Sequence, residues 1–196
     1  FDDITAIIAL YRPGPLDLIP EFIQRKRGQY PLSTDIAALE PILSTTYGVI
    51  VYQEQVMAIA NSVAGFSLSK ADILRRAMGK KKPAEMRALR TQFVEGAVGL
   101  GTDREAAEHL FQMITKFAGY GFNKSHAAAY ALLTYRTAYL KAHYPLAYMT
   151  ALMTGDIGDH ERLSLYAGEC RERGVRLLPP DINRSEIGFT IVDGAI

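Results

Sequence analysis

The chain has 196 residues, 48% of them hydrophobic, enough to close a core without covalent staples. Its one cysteine, Cys170, excludes an internal disulfide and fits a reducing, cytoplasmic setting; no apolar run nears the ~18–20 residues of a membrane span, and the opening stretch FDDITAII has acids where a signal peptide has bases. Formal net charge is +1, yet residues 70–90 carry +6 and the remainder −5, which confines any anion site to one segment of a mildly acidic body.

In chain order, ITAIIALY reads as a helix stopped by RPGP, where Pro13 and Pro15 make a rigid turn and push Arg12 toward an extended backbone. LIPEFIQRKRG is a short helix ending at Gly28, with Arg25, Lys26 and Arg27 either compensating its dipole or meeting a ligand. The stretch from Thr45 to Gly65 starts at a Tyr-Gly turn and continues as a helix, with Val51, Val56, Ile59 and Val63 on one face. SLSKADILRRAMG comes next with Ser69 and Asp72 in capping register and Gly79 as its stop, so that Lys80, Lys81 and Lys82 lie past the helix end. Pro83 opens the next helix.

Thr102 and Glu105 form a second capping box, ahead of a helix lined by Ala106, Leu110, Ile114 and Phe117 and broken at Gly119 and Gly121. Asn123 or Ser125 then caps a long alanine-rich helix that runs to Tyr144, before Pro145. LAYMTALMT and HERLSLYAGECRERG add two helices. Only VRLLPPDIN and IGFTIV have β character. The expected fold is mainly α, a multi-helix domain over 1–175 with short β segments at the C-terminal end, where 176–196 start a further β-containing segment. Phe1, already inside an apolar pattern, gives the chain the look of a piece of something longer.

Two constellations carry chemistry. Arg75 and Arg76 point about 100° apart on a helix, so one faces a ligand while the other braces it, and their forked guanidiniums suit phosphate oxygens. Lys80, Lys81 and Lys82 add charge with less geometry. The plainer reading is a solvated helix end and linker. In YGFNKSHAAAYA, the residues Asn123, Lys124, Ser125 and His126 sit at a helix N-terminus where N–H groups and a cation meet an anion; the plainer reading is a polar cap on a packed helix. No Walker pattern, metal-spaced Cys/His set or G-x-S-x-G occurs, and the scattered carboxylates show no two-metal pair. No catalytic residue and no metal ligand is assigned. Cys170 reads as a structural, buried thiol rather than a reactive one.

The stretches ALYRPGP, YGVIVYQEQVM, LRRAMGKKKPAEM, FAGYGFNKSHAAAYALLTYRTAYLKAHYP and LLPPDIN, in this order over nearly the whole chain, resemble the bacterial family C replicative DNA polymerases, the DNA polymerase III alpha subunits. The AMGKKK form is more similar to the main replicative subunit than to its error-prone paralogue. The resemblance implies the fingers, a helical region beyond the palm, and it places the catalytic carboxylates and their Mg²⁺ outside this stretch. It implies a dNTP site at Arg75, Arg76, Asn123, Lys124, Ser125 and His126, with Lys80, Lys81 and Lys82 on primer-template DNA. Tyr130 and Tyr135 become either stacking groups or core tyrosines with satisfied hydroxyls. Partners implied are primer-template DNA, dNTPs, and a sliding clamp and other replisome subunits that bind mainly elsewhere. Two other readings remain: a non-catalytic basic helical module that grips nucleic-acid backbone, and a protein-interaction scaffold.

Overall fold

A computed structural model describes residues 1–29, 36–80, 83–117 and 121–196, without the side chains of 79, 80, 83 and 84. The chain divides into two compact units, Phe1–Leu132 and Leu133–Ile196. Helices dominate both: α1 (Asp2–Leu10), α2 (Ile19–Lys26), α3 (Glu40–Leu43), α4 (Gln53–Ala64), α5 (Leu68–Lys80), α6 (Pro83–Gly99), α7 (Arg104–Phe117), α8 (Lys124–His143), α9 (Pro145–Gly155) and α10 (His160–Glu172).

The first unit has two apolar clusters. The larger joins α4, α5, α6 and α7 through Val56, Ile59, Val63, Leu74, Phe93 and Ile114, with the rings of Phe66 and Phe111 set against Phe93 at 6.0 and 5.3 Å. The smaller gathers Ala6, Ala9 and Leu10 of α1, Phe22 of α2, Val49, Val51 and Tyr52 of an extended stretch, and Ala127 of α8, while Ile50 of that stretch packs into the larger cluster. Gly96 lets α4 and α6 touch: a Cβ built there would stand 2.2 Å from the Ala64 carbonyl oxygen. In the second unit, Met149 and Met153 of α9 pack with Cys170 of α10, Val175 and Ile196.

Several local expectations shift. Val51 is not helical; Tyr47, at φ 54°, and Gly48 turn the chain into an extended, buried segment, and α4 starts only at Gln53. Its helix ends at Gly65 in the left-handed region, with the Phe66 N–H bonded back to the Ala60 carbonyl. Ser67, not Ser69, caps α5, accepting from the Lys70 N–H at 3.3 Å, which frees Asp72 for ion pairing. The α5 backbone continues through Gly79 to Lys80, so Lys80 is the helix's last residue rather than a linker position. Lys81 and Lys82 lie outside the described residues, as does Gly119. Asp103, one position after Thr102, caps α7 by accepting from Glu105 and Ala106.

The C-terminal β segments do not form. Among the described residues beyond α10, Arg176, Val192 and Ala195 make only isolated bridges. Pro179 and Pro180 offer no N–H to a ladder. Asp181 instead closes a turn, its N–H donating to Ser185 Oγ at 2.8 Å and its carboxylate accepting from the Asn183 N–H at 2.8 Å. Ile187, at 99% exposure, has no strand to pair with among the described residues. Apolar alternation without a partner edge is not a strand.

Candidate nucleotide and nucleic-acid interface

The site is built on the start of α4. Tyr52 is fully buried and extended, and its segment pairs in parallel with Phe122. The Gln53 N–H donates to the Phe122 carbonyl at 2.9 Å and the Phe122 N–H to the Val51 carbonyl at 3.4 Å. Gln55, three residues into the turn and nearly buried, ties this strand down: its Oε1 accepts from Val51 and Tyr52 N–H at 2.8 and 3.0 Å, and its Nε2 donates to Thr46 Oγ1 at 2.7 Å. A buried amide with its donors and acceptors used fixes one conformation.

This pairing carries the entry of α8 onto α4. Gly121 is needed for the approach, since a Cβ there would lie 3.0 Å from Gln53 Cγ and 3.2 Å from the Phe117 ring. Gln53 Nε2 donates to the Gly121 carbonyl at 3.0 Å. Both Glu54 carboxylate oxygens accept the Lys124 N–H at 3.0 Å, and Asn123 Oδ1 accepts from the His126 N–H at 2.9 Å and from Ser125 Oγ at 2.8 Å. Asn123 is thus the cap that its sequence position predicts. The N–H groups of Lys124 and His126 are already spent on the protein's own oxygens. The cation of this turn is Lys124, whose Nζ lies 5.4 Å from the Tyr52 ring centre.

Gln53 also reaches the basic helix. Arg75 Nη1 donates to Gln53 Oε1 at 3.4 Å, while Arg75 Nε donates to Asp72 at 2.9 Å. Arg76 pairs with the other oxygen of Asp72 at 2.7 Å, and its side chain is 66% exposed. Asp72 so holds both guanidiniums, and their bonds and charge, Arg75 first, keep its carboxyl below the usual carboxylate range. The structure brings Arg75, Asn123, Lys124, Ser125 and His126 into one bonded assembly and leaves Arg76 at its rim. Lys80 ends the same helix.

Sequence reasoning missed three members. Gln53 and Glu54 stand inside YQEQVM as ordinary polar helix positions, and only the pairing of Tyr52 with Phe122 gives them partners. Arg12, read only as a turn residue, lays its guanidinium 4.6 Å from the Phe122 ring centre while its Nε donates to the Ala9 carbonyl at 2.9 Å; partial burial pulls its pKa down. The signal was a cation set directly before a Pro-Gly-Pro turn. The His126 ring lies between Phe122, edge-on, and Tyr130, tilted, with centroids at 5.4 and 4.8 Å; Tyr130 itself is half-exposed on α8. Arg25 and Lys26, by contrast, have structural partners in Glu21 and Asp3. Among the described residues no cluster of His, Cys, Asp and Glu could hold a metal ion, and no helix is long and apolar enough to cross a membrane.

A family model for the bacterial DNA polymerase III alpha subunit finger domain matches residues 1–101. Over 195 residues the chain is 51% identical to DNA polymerase III subunit alpha of Borreliella burgdorferi, covering 100% of this chain and 17% of that protein. It is 51% identical to the Thermus aquaticus subunit over 196 residues, covering 97% and 16%, and 48% identical to the Bacillus subtilis subunit over 195 residues, covering 100% and 18%. The chain spans about a sixth of the length of the curated relatives it matches.

Proposed function

Because the chain belongs to the bacterial DNA polymerase III alpha subunit finger-domain family, we propose that it is the fingers region of a DNA-templated replicative DNA polymerase, gripping the incoming dNTP triphosphate and primer-template DNA. In this reading Arg75 and Arg76 neutralise charge on the triphosphate, and Asn123, Lys124, Ser125 and His126 frame the nucleotide beside them. Lys80, Lys81 and Lys82 hold nearby DNA backbone without reading sequence. The helical stretch 1–175 forms the fingers and 176–196 leads onward.

One observation carries the reading. Gln53 bonds at once to Arg75 and to the Gly121 carbonyl at the entry to α8, so two cation-bearing segments far apart in sequence share a single assembly. A scattered backbone grip has no need of that convergence. In this reading nucleotidyl transfer belongs to a palm elsewhere in the parent protein, where carboxylates hold Mg²⁺, and the chain on its own is inactive. A cytoplasmic replisome, with a sliding clamp, is the setting the reading implies.

The test is steady-state primer extension by the full-length subunit, wild type against Arg75→Ala/Arg76→Ala, varying dNTP at saturating primer-template. Nucleotide-dependent efficiency falls several-fold or more while DNA affinity holds. A purely backbone-gripping module behaves otherwise: DNA affinity drops along a steep salt slope, roughly −0.9 per phosphate neutralised, and free dNTP has no effect.

A further inference from the structure

We infer that Gln53 is a positioning residue that presents Arg75 to the nucleotide, by clamping the guanidinium to the α8 entry; this rests on the dNTP reading given above.

Arg75 stands on α5 with its side chain 32% exposed, and Asp72 on the same helix fixes only one edge of its guanidinium. Nε at 2.9 Å and Nη2 at 2.8 Å both meet a single oxygen, Asp72 Oδ1, about which the fork can still pivot. Gln53 Oε1 supplies the second point, accepting from Nη1 at 3.4 Å. The same amide donates through Nε2 to the Gly121 carbonyl at 3.0 Å, and this bond sets which end of the amide faces Arg75. The Gln53 backbone is itself held by the Phe122 carbonyl at 2.9 Å. The amide therefore has little freedom, and it transmits the position of Gly121 and Phe122 to Arg75. A guanidinium anchored at two edges keeps its remaining N–H groups in one direction, and donors held in place beforehand cost little rearrangement when the nucleotide binds. Gln53 contributes no charge of its own. It acts only through Arg75.

The residue types fit the role. An amide offers an acceptor to the arginine and a donor to a backbone carbonyl in one group. A carboxylate here would repel the Gly121 carbonyl, and an alkyl chain would satisfy neither partner.

The experiment is a double-mutant cycle in the full-length subunit: wild type, Gln53→Ala, Arg75→Ala and the double variant, in single-nucleotide primer extension at saturating primer-template, with DNA affinity measured separately. Gln53→Met runs beside Gln53→Ala because it fills nearly the same volume without either polar atom. Gln53→Ala and Gln53→Met raise KM for dNTP about three- to tenfold, the range for losing one ordinary hydrogen bond, as the 3.4 Å length fits, with DNA affinity unchanged. In the double variant the Gln53 change adds nothing to the Arg75 effect, the mark of action through a shared group. If Arg75→Ala raises KM and both Gln53 variants leave it at the wild-type value, or if the two effects add, the positioning role is overturned while the dNTP reading stands. If Arg75→Ala itself leaves KM unchanged, the dNTP reading and the inference fall together.

Discussion

Both carboxylate oxygens of Glu54 lie 3.0 Å from the backbone nitrogen of Lys124, 70 positions further along the chain. A carboxylate at the first turn of α8 satisfies an N–H that has no partner within the helix and sits favourably against the positive end of the helix dipole. It is a cap delivered from another helix. Glu54→Ala deletes it, and loss of a cap costs about 1 kcal/mol. Amide hydrogen exchange in the full-length protein then speeds up roughly fivefold over the first turn of α8 and little elsewhere. Unchanged protection of Lys124 would mean that solvent or another group serves that donor equally well.

Asp72 gives a pH dependence with a definite sign. Its hydrogen bond from Arg75, with the charge of Arg75 and Arg76 behind it, lowers its folded pKa beneath the ordinary 3.8. A carboxyl whose folded pKa is depressed contributes stability in full above the unfolded value, and loses it as pH falls below 3.8 toward the folded one. The α5 segment of wild type is therefore better protected from exchange than that of Asp72→Asn near neutrality, and the difference closes below pH 3.8. Salt narrows it too, since these side chains are partly exposed. A difference that stays constant across the acid range would detach Asp72 from the arginines.

Legibility in the sequence depends on the kind of information each feature needs. Helix existence is local: the apolar repeat of Leu110, Ile114 and Phe117, the Asn123 cap and the stop at Gly65 all show in the chain and all form. Helix starts depend on which hydroxyl or carboxylate wins, and Ser67 and Asp103 displaced Ser69 and Thr102 by one or two positions. The extended run Val49–Tyr52 was missed because its pairing partner, Phe122, comes from far along the sequence. Partner strands were likewise decisive, by their absence among the described residues, at Ile187. Arg75 and the Asn123–His126 turn were each recognisable as cation-bearing elements. Their meeting at Gln53 was not, since an amide's role is defined only by what stands on either side of it.

Cys170 tests the packing of the second unit. It is fully buried between α9 and α10 with Met149 and Met153, and burial pushes its thiol pKa up. Nearby Arg173 does not reverse that shift. A neutral, enclosed thiol reacts only when the unit opens. In the native full-length protein, peptide mapping after brief alkylation finds Cys170 unmodified, and mild denaturant makes it reactive in step with loss of exchange protection on α10. Rapid labelling under native conditions would contradict the packing described.

Gly96 and Gly99 separate two effects of the same substitution on one helix. Glycine inside a helix is about 1 kcal/mol less favourable than alanine, so propensity alone favours Gly→Ala at Gly96 and, more weakly, at Gly99, the last residue of α6. At Gly99 a Cβ meets nothing within 4 Å. Propensity is then unopposed, and Gly99→Ala is neutral or slightly stabilising. At Gly96 the Cβ falls 2.2 Å from the Ala64 carbonyl oxygen and 3.1 Å from its carbon. Those are backbone atoms of α4, so no rotamer change relieves the clash and the two helices must part. Separating them loosens the cluster that holds Val63, Phe93 and Ala97. Overpacking of this kind costs typically about 1–3 kcal/mol and more where backbone must shift, which outweighs the gain in propensity. Denaturant unfolding, with hydrogen exchange read in α4 and α6, shows Gly96→Ala strongly destabilised beside an intact Gly99→Ala. If both variants were equally stable, α4 and α6 would have to cross at a wider separation than the Gly96–Ala64 contact allows, and Gln53, at the head of α4, would no longer stand on a rigid base.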